Sequence, residues 1–459
     1  MDRERPAAVT LYDTLYLASS PLTAAYFLYK RQFRGKYRES LPAMMGKRLP
    51  LAPQPSVAST GRLIRTDNGA AAGLRVWVHA VSVGEVVAAH SVIIPLLEAR
   101  PDATVLVSTV TETGQATAKR LLGGVAREIL YHPLDLSWIV RRFLDAYRPD
   151  VYVMMETELW PNMLTEAGRR GVKILMLNGR LSDRSYPWYR RFGFLFRGPL
   201  SNIAACAVQT PTDAERLRSL CSPATPVAVT GNCKFDSPAE RLDAASRIEL
   251  LRKWNISPER QIVVAGSTHP GEEEAILSAW QAIRASAGGA TLIVAPRHVE
   301  RAREIESVVL RNGFTCSRSS SPGQADPDVL LLDEMGVLAR AYGLGVVAIV
   351  GGSFVPIGGH NILEPAAHAI PVIYGPHMHK QREMLRLLDA EHGGVPTTVE
   401  QLAPALLQLL QDEPRRIRLG QLALAAIEAN RGSARRSVEF ILPFLPAQSP
   451  RYGSVSPGL

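Results

Sequence analysis

Apolar residues along this chain gather into short runs. LRVWVHAV, ATVLVSTV, DVYVMME, KILMLNG, IAACAVQ and PVAVTGN fall between residues 74 and 232; QIVVAGS, ATLIVAP, DVLLLDE, GVVAIVGG and PVIYGP follow between 261 and 376. Each run has strand length and is nearly continuous in apolar character, and helix-length segments separate them. That pattern predicts strands buried on both faces, hence parallel sheets covered by helices. The rhythm restarts after Gly231. Two Rossmann-like βα domains are therefore expected, 73–232 and 233–445, with a hinge near Thr230 to Ser237 and a tail at 446–459. Residues 402–442 carry Leu and Ala on one helical face and Arg on the other and are assigned to the second domain, although the last helix of such two-domain proteins often crosses back. Ligands of such sheets bind beyond the carboxyl ends of the strands.

Residues 8–29 are mostly apolar and long enough to span a bilayer, although Asp13 and Pro21 interrupt them. KRQFRGKYR comes next, with no small-residue cleavage site between. This predicts a membrane-anchor segment over 1–48 that keeps the body on the cytoplasmic side. Tyr12, Tyr16, Tyr26 and Tyr29 suit a helix lying at the headgroups as well as a span. A helix simply packed on the body is the plain alternative. Residues 49–72 turn to Pro, Ser, Gly and Ala without periodicity and read as a linker.

A length of 459 residues suits two domains plus an appendage. The net charge of +9 favours acidic partners, anionic lipid or phosphorylated substrates among them. Outside the N-terminus there is no basic run interleaved with aromatics, so no nucleic-acid partner is expected. Cys206, Cys221, Cys233 and Cys316 form neither a zinc spacing nor a disulfide framework. His360, His368, His377 and His379 lack an i, i+4 pair with an added carboxylate on a clear helix, so no metal or other cofactor is expected.

Candidate chemistry sits after the runs. HAVSVGEV brings His79, Ser82, Gly84 and Glu85 to the end of one strand, with Glu85 either an acid favoured by a helix dipole or a carboxylate aimed at a ligand. METELWPN supplies Glu156 and Glu158; NGRLSDRS supplies Arg180, able to hold phosphate or to pair with those acids. GNCKFD sets Lys234 at the hinge. GSTHPGEE offers Ser267 and Thr268 at a helix start, APRHVER offers Arg297, and DEMGVL offers Met335 and Gly336 for backbone contact with a flat base. Between Val350 and Pro376, VGGSFVPIGGHNILEPAAHAIPVIYGP reads as strand, glycine loop, short helix and strand. Its amides, including those near Gly352 and Ser353, make an anion cradle, and Asn361 with Glu364 has the form of a capping box.

Together HAVSVGE, METELWPN, NGRLSDRS, GNCKFD, STHPGEE, PRHVER and the glycine stretch resemble the bacterial 3-deoxy-D-manno-octulosonic acid (Kdo) transferases, in matching order to about residue 445. The resemblance implies an inverting, membrane-associated glycosyltransferase of the GT-B fold, with two Rossmann-like domains facing a cleft. Its donor is CMP-Kdo and its acceptor the tetraacylated lipid A precursor, lipid IVA, at the cytoplasmic face of the inner membrane with its anionic lipids. It makes Glu85 the general base and assigns Glu156 and Lys234 to transition-state stabilisation. It assigns CMP contacts to Pro296 and Arg297, to Met335, Gly336 and Val337, and to Asn361, Ile362, Leu363 and Glu364. The family often has MGE where this chain ends the triplet in Val337. A UDP-sugar 2-epimerase, or another nucleotide-sugar transferase of the same fold, is the alternative.

Overall fold

The computed structural model describes residues 12–14, 16–18, 40–47, 49, 73–236, 242–389 and 392–447. Most of the expected anchor segment and linker lies outside the described residues. The chain forms two compact units, one of Met1–Ser237 with Arg431–Leu459 and the other of Pro238–Asn430.

In the first unit seven parallel strands order themselves β3-β2-β1-β4-β5-β6-β7. They are β1 Arg75–His79, β2 Thr104–Thr109, β3 Glu128–Tyr131, β4 Val151–Met155, β5 Lys173–Gly179, β6 Ile203–Val208 and β7 Val227–Val229. Successive side chains of a strand point to opposite faces, and here both faces are buried. Val76, Val78, Val105, Val107, Val151 and Val153 enter one core cluster. Trp77, Leu106, Tyr152 and Met154 enter the other. The order reverses between β1 and β4, whose residues pair from Val76 with Val151 to His79 with Met154. Such a switch opens a crevice at the strands' carboxyl ends.

The second unit repeats the plan as β10-β11-β9-β8-β12-β13-β14. Its strands are β8 Ile262–Thr268, β9 Thr291–Pro296, β10 Cys316–Arg318, β11 Val329–Leu331, β12 Val347–Val350, β13 Val372–Tyr374 and β14 Gly394–Pro396. The switch lies between β8 and β12, which pair from Val347 with Val263 to Val350 with Gly266.

Assigning residues 431–445 to the second domain is corrected. Helix Ser433–Ile441 buries Ala434, Val438 and Ile441 in the first unit's core with Val86, Val92 and Ile93 of helix Val83–Ala99. Asp236 fixes the return by accepting hydrogen bonds from the Gly432 and Ala434 amides, at 2.5 and 2.6 Å. Lys234, in the turn Cys233–Asp236, belongs to the first unit as well.

Asp13, an interruption in the apolar pattern, is fully buried in the structure. Helix Ser137–Tyr147 starts after Leu136, which cannot cap it with a side chain. Asp13 Oδ1 does so instead, accepting from Ser137 N at 2.9 Å and from Asn162 Nδ2 at 2.7 Å. Asp13 is thus tied to the first unit. Among the described residues no helix is long and apolar enough to cross a membrane.

Candidate active site

β1 ends at His79, and helix Val83–Ala99 begins four residues later with Ser82 at its N-cap. Glu85 folds back over this turn: Oε2 accepts from Val81 N at 2.8 Å and Oε1 from Ser82 Oγ at 2.9 Å. The helix-start reading of Glu85 therefore holds, and the acid that closes this turn lies at the switch point. It is 7% exposed. Burial raises its pKa, the negative charge of Glu156 raises it further, and the two hydrogen bonds and the Lys234 charge pull it back.

Glu156 follows β4 across the switch, in a left-handed backbone with φ 55. That turn takes it out of the strand, so Glu156 and Glu158 are not two residues of one strand face. Lys234 Nζ stands 2.5 Å from Glu156 Oε1, in an ion pair whose approach makes no hydrogen bond. The Lys234 side chain passes close to Gly84, in ordinary contact distance of the Glu85 turn. Burial, then the charges of Glu85 and Glu156, push Glu158 up to about 8. The neutral form of Glu158 is thereby favoured.

The side chains behind this cluster are buried and cross-linked. Trp160 Nε1 donates to His79 Nε2 at 3.3 Å, so His79 carries its proton on Nδ1, beside Ser108 Oγ at 3.0 Å. Burial lowers the His79 pKa to about 3, and its ring stacks on His132 with centroids 3.9 Å apart. Lys234 is set by its turn: Asn178 Oδ1, from a residue with φ 55, accepts from Cys233 N at 2.9 Å, and Asn232 Oδ1 accepts from Lys234 N at 3.0 Å.

The second unit's switch point is closed by a carboxylate of its own. Glu272, fully buried, accepts from the amides of His269 (2.9 Å), Gly352 (2.7 Å), Ser353 (3.1 Å) and Phe354 (2.9 Å). The cradle expected at Gly352 and Ser353 is thereby corrected, because its amides are spent inside the protein. Ser353 Oγ is also internal, donating to Val350 O and accepting from Gly375 N. Thr268 Oγ1 donates to Glu273 at 2.9 Å, while Ser267 sits at φ 57.

Around that closed floor lies a basic cluster. His269 and His360 meet Nε2 to Nε2 at 2.8 Å with their rings within 1° of parallel. Burial, with His269, Arg297, Lys380 and His298 nearby, lowers His360 to about 4. Arg297 is exposed just past Pro296 at the end of β9. Met335 is 72% exposed, and Gly336 has φ 84. Asn361 Oδ1 accepts from Leu363 N at 3.0 Å and its Nδ2 donates to Glu364 Oε1 at 3.1 Å. The capping box is therefore altered: the helix starts at Leu363, and Glu364 meets the Asn361 side chain. Ile362 and Leu363 are buried, so their backbones alone can meet a ligand.

Residues 45–237 match the family model described as 3-deoxy-D-manno-octulosonic-acid transferase (kdotransferase). The chain is 34% identical over 376 residues to the 3-deoxy-D-manno-octulosonic acid transferase of Haemophilus influenzae, covering 81% of this chain and 87% of that one. The chain belongs to the Kdo transferase family. The Bordetella pertussis 3-deoxy-D-manno-octulosonic acid transferase is 32% identical over 428 residues, 90% of this chain and 94% of that one. In fold, this glycosyltransferase is of the GT-B class. It resembles the UDP-GlcNAc 2-epimerase of Neisseria meningitidis with TM-score 0.57 and 13% identity, over 81% of this chain and all of the other. That last likeness extends to the fold alone.

Of the residues singled out in the sequence, the Kdo transferase brings Ser82, Glu85, Glu156, Glu158 and Lys234 into one cluster. Arg180 stands half-buried just after β5. Glu272 and the His269–His360 contact went unread. A GEE triplet at a helix start looks like ordinary dipole compensation, and two histidines 91 positions apart give no sequence signal.

Proposed function

We propose that this Kdo transferase moves Kdo from CMP-Kdo to a hydroxyl of the lipid A precursor lipid IVA, with inversion, in lipopolysaccharide synthesis. Glu85 accepts the proton of the attacking hydroxyl as the new bond forms at the anomeric carbon. The bond from that carbon to the phosphate oxygen breaks, its electron pair leaves with CMP, and no metal or cofactor takes part. The observation that carries the reading is the Glu85 carboxylate, fixed by Val81 N and Ser82 Oγ beside the Glu156–Lys234 pair. A raised pKa makes it a better proton acceptor once ionised.

Pro296, Arg297, Met335–Val337 and Asn361–Glu364 hold CMP in this reading, Glu364 through ribose hydroxyls. Arg297 supplies positive charge near the departing phosphate, while His269 and His360, whose pKa values burial lowers, offer neutral ring nitrogens beside it. Val337 acts through its backbone, so the carboxylate found there in relatives is dispensable. The enzyme works at the cytoplasmic face of the inner membrane, held by association with anionic lipid.

Mass spectrometry after incubation with CMP-Kdo and lipid IVA tests the assignment. A mass gain of Kdo with wild type, and none with Glu85→Ala while CMP binding persists, is expected. An active Glu85→Ala enzyme excludes Glu85 as the base.

A further inference from the structure

The turn that follows β4 carries Glu156 and Glu158 and ends at Trp160. Trp160 is the N-cap of helix Pro161–Arg169, yet its side chain makes no cap hydrogen bond. Asp135 holds that helix start instead, accepting from Asn162 N at 3.1 Å and from Met163 N at 2.8 Å. The indole is directed elsewhere and donates its Nε1–H to His79 Nε2 at 3.3 Å. It also interacts with the Glu158 carboxyl, as a donor that lowers the pKa of that acid against the larger upward effects of burial, Glu85 and Glu156. One indole therefore meets the last residue of β1 and an acid of the β4 turn.

A buried tryptophan N–H usually finds some partner, so packing alone explains one such bond. The acceptor sets this one apart. His79 has to be neutral, with its lone pair on Nε2. Ser108 O, 3.2 Å from His79 Nδ1, can only accept, which makes Nδ1 the donor. Trp77 holds Ser108 in turn, donating from Nε1 to Ser108 Oγ at 2.8 Å. Burial lowers the His79 pKa to about 3, so near neutrality no second N–H comes to face the indole. His132, stacked on His79, is fixed in the same way: Nδ1 donates to Pro133 O at 2.9 Å and Nε2 accepts from the Tyr152 hydroxyl at 3.0 Å. β1 itself leads from His79 into the turn where Val81 N and Ser82 Oγ hold Glu85.

We propose that Trp160 is a positioning residue, whose indole N–H holds the Glu156–Glu158 turn to His79 and so sets the spacing of those acids from Glu85. The consequence for Kdo transfer rests on the roles proposed above for the acids, whereas the hydrogen bond is measured without substrate. The titratable groups that face Glu158 are Glu85, Glu156, Tyr152 and Tyr189, and all four stay in place when the indole nitrogen alone is removed.

Trp160→Phe keeps an aromatic ring and deletes the donor. Its kcat for Kdo transfer falls about tenfold, short of the ~10²-fold that a misplacement of about 1 Å can cost, while KM for CMP-Kdo is unchanged. The step that Glu158 ionisation produces in the pH–rate profile near 8 moves to higher pH, because a hydrogen bond to the charged form is lost. Benzothienylalanine incorporated in place of Trp160, with sulfur where the N–H was and the shape kept, behaves as the phenylalanine variant does. In histidine-labelled full-length protein without substrate, the nitrogen NMR signal of His79 Nε2 shifts when the donor is removed. A purely structural role predicts a lower melting temperature with kcat per folded molecule and the alkaline step unchanged, and that result overturns the proposal. Wild-type behaviour of the benzothienylalanine protein, or an unmoved His79 signal, overturns it as well. An active Glu85→Ala enzyme removes the base reading and leaves these comparisons standing, so the two fail separately.

Discussion

Lys234 holds its ammonium 2.5 Å from a carboxylate oxygen of Glu156, whose backbone has φ 55. A non-glycine residue in that conformation costs energy that the surrounding structure has to offset. The proposed role makes the glutamate and the lysine a pair that acts together. Lys234→Met leaves a half-buried carboxylate without its cation, and Glu156→Gln leaves the ammonium without its anion. Each is expected to lower kcat about 10²–10³-fold, the range for losing one preorganised charge at a reacting centre. Steady-state kinetics with CMP-Kdo and lipid IVA check this, and an unchanged kcat in either variant removes the pair from the reaction.

The pH profile follows from Glu85 and its neighbours. With Glu85 as the proposed base, which must be ionised to act, activity is expected to rise with pH through the Glu85 pKa, which burial and Glu156 lift above the usual carboxylate value. Glu156→Gln removes an upward contribution and moves the acid limb to lower pH. Lys234→Met removes a downward one and moves it higher. Glu158, pushed up to about 8, is protonated at neutral pH. Glu158→Gln therefore keeps activity within about threefold at pH 7, since it replaces a neutral acid by a neutral amide of similar shape. Above pH 8 the profile of that variant diverges from wild type, which gains a negative charge beside Glu85.

Asp13 and Asp135 make the stability of the first unit depend on pH. Asp135 caps helix Pro161–Arg169 by accepting from Asn162 N and Met163 N, and burial raises its pKa to about 7. An unfolded aspartate titrates near ~4. Between those values the folded chain holds a proton that the unfolded chain has released, so stability falls as pH rises from about 4 through about 7 and then levels off. Asp13→Asn keeps an acceptor for Ser137 N and removes the charge that helps to raise Asp135. Thermal melts from pH 5 to 8 should then show a shallower decline than wild type.

The sequence made the central strands legible and the edges mostly not. KILMLNG coincides with β5 because a strand buried on both faces is apolar throughout. β3, β10 and β14 escaped notice, and all three are short edge strands with a single neighbour. Glu128, Ser317, Arg318 and Pro396 break their apolar pattern, as edges tolerate. At the site, Glu85, Glu156 and Lys234 were legible because strand ends converge whatever the loops do. The Lys234 turn was not, since the Asp236 tie to Gly432 and Ala434 spans nearly half the chain. The helix 433–441 was misassigned for the same reason: its apolar stripe says that it packs, not on what.

Glu272 carries the most demanding of these expectations. Its two oxygens satisfy four amides from two loops, His269 after β8 and Gly352, Ser353 and Phe354 after β12. Each buried amide left without a partner costs about 1–3 kcal/mol. Glu272→Ala orphans all four and also empties the space over β8 and β12, so the second unit should lose much of its stability. Glu272→Gln keeps one oxygen and turns the other acceptor into a donor facing amides that also donate, which makes it a poor substitute despite its shape. A ligand role for the carboxylate predicts weaker CMP binding with an unchanged melting temperature. The internal role predicts a lower melting temperature for both variants, with CMP affinity preserved in whatever fraction remains folded. Calorimetric melts paired with CMP titration at low temperature separate the two, and a Glu272→Gln protein as stable as wild type refutes the internal role.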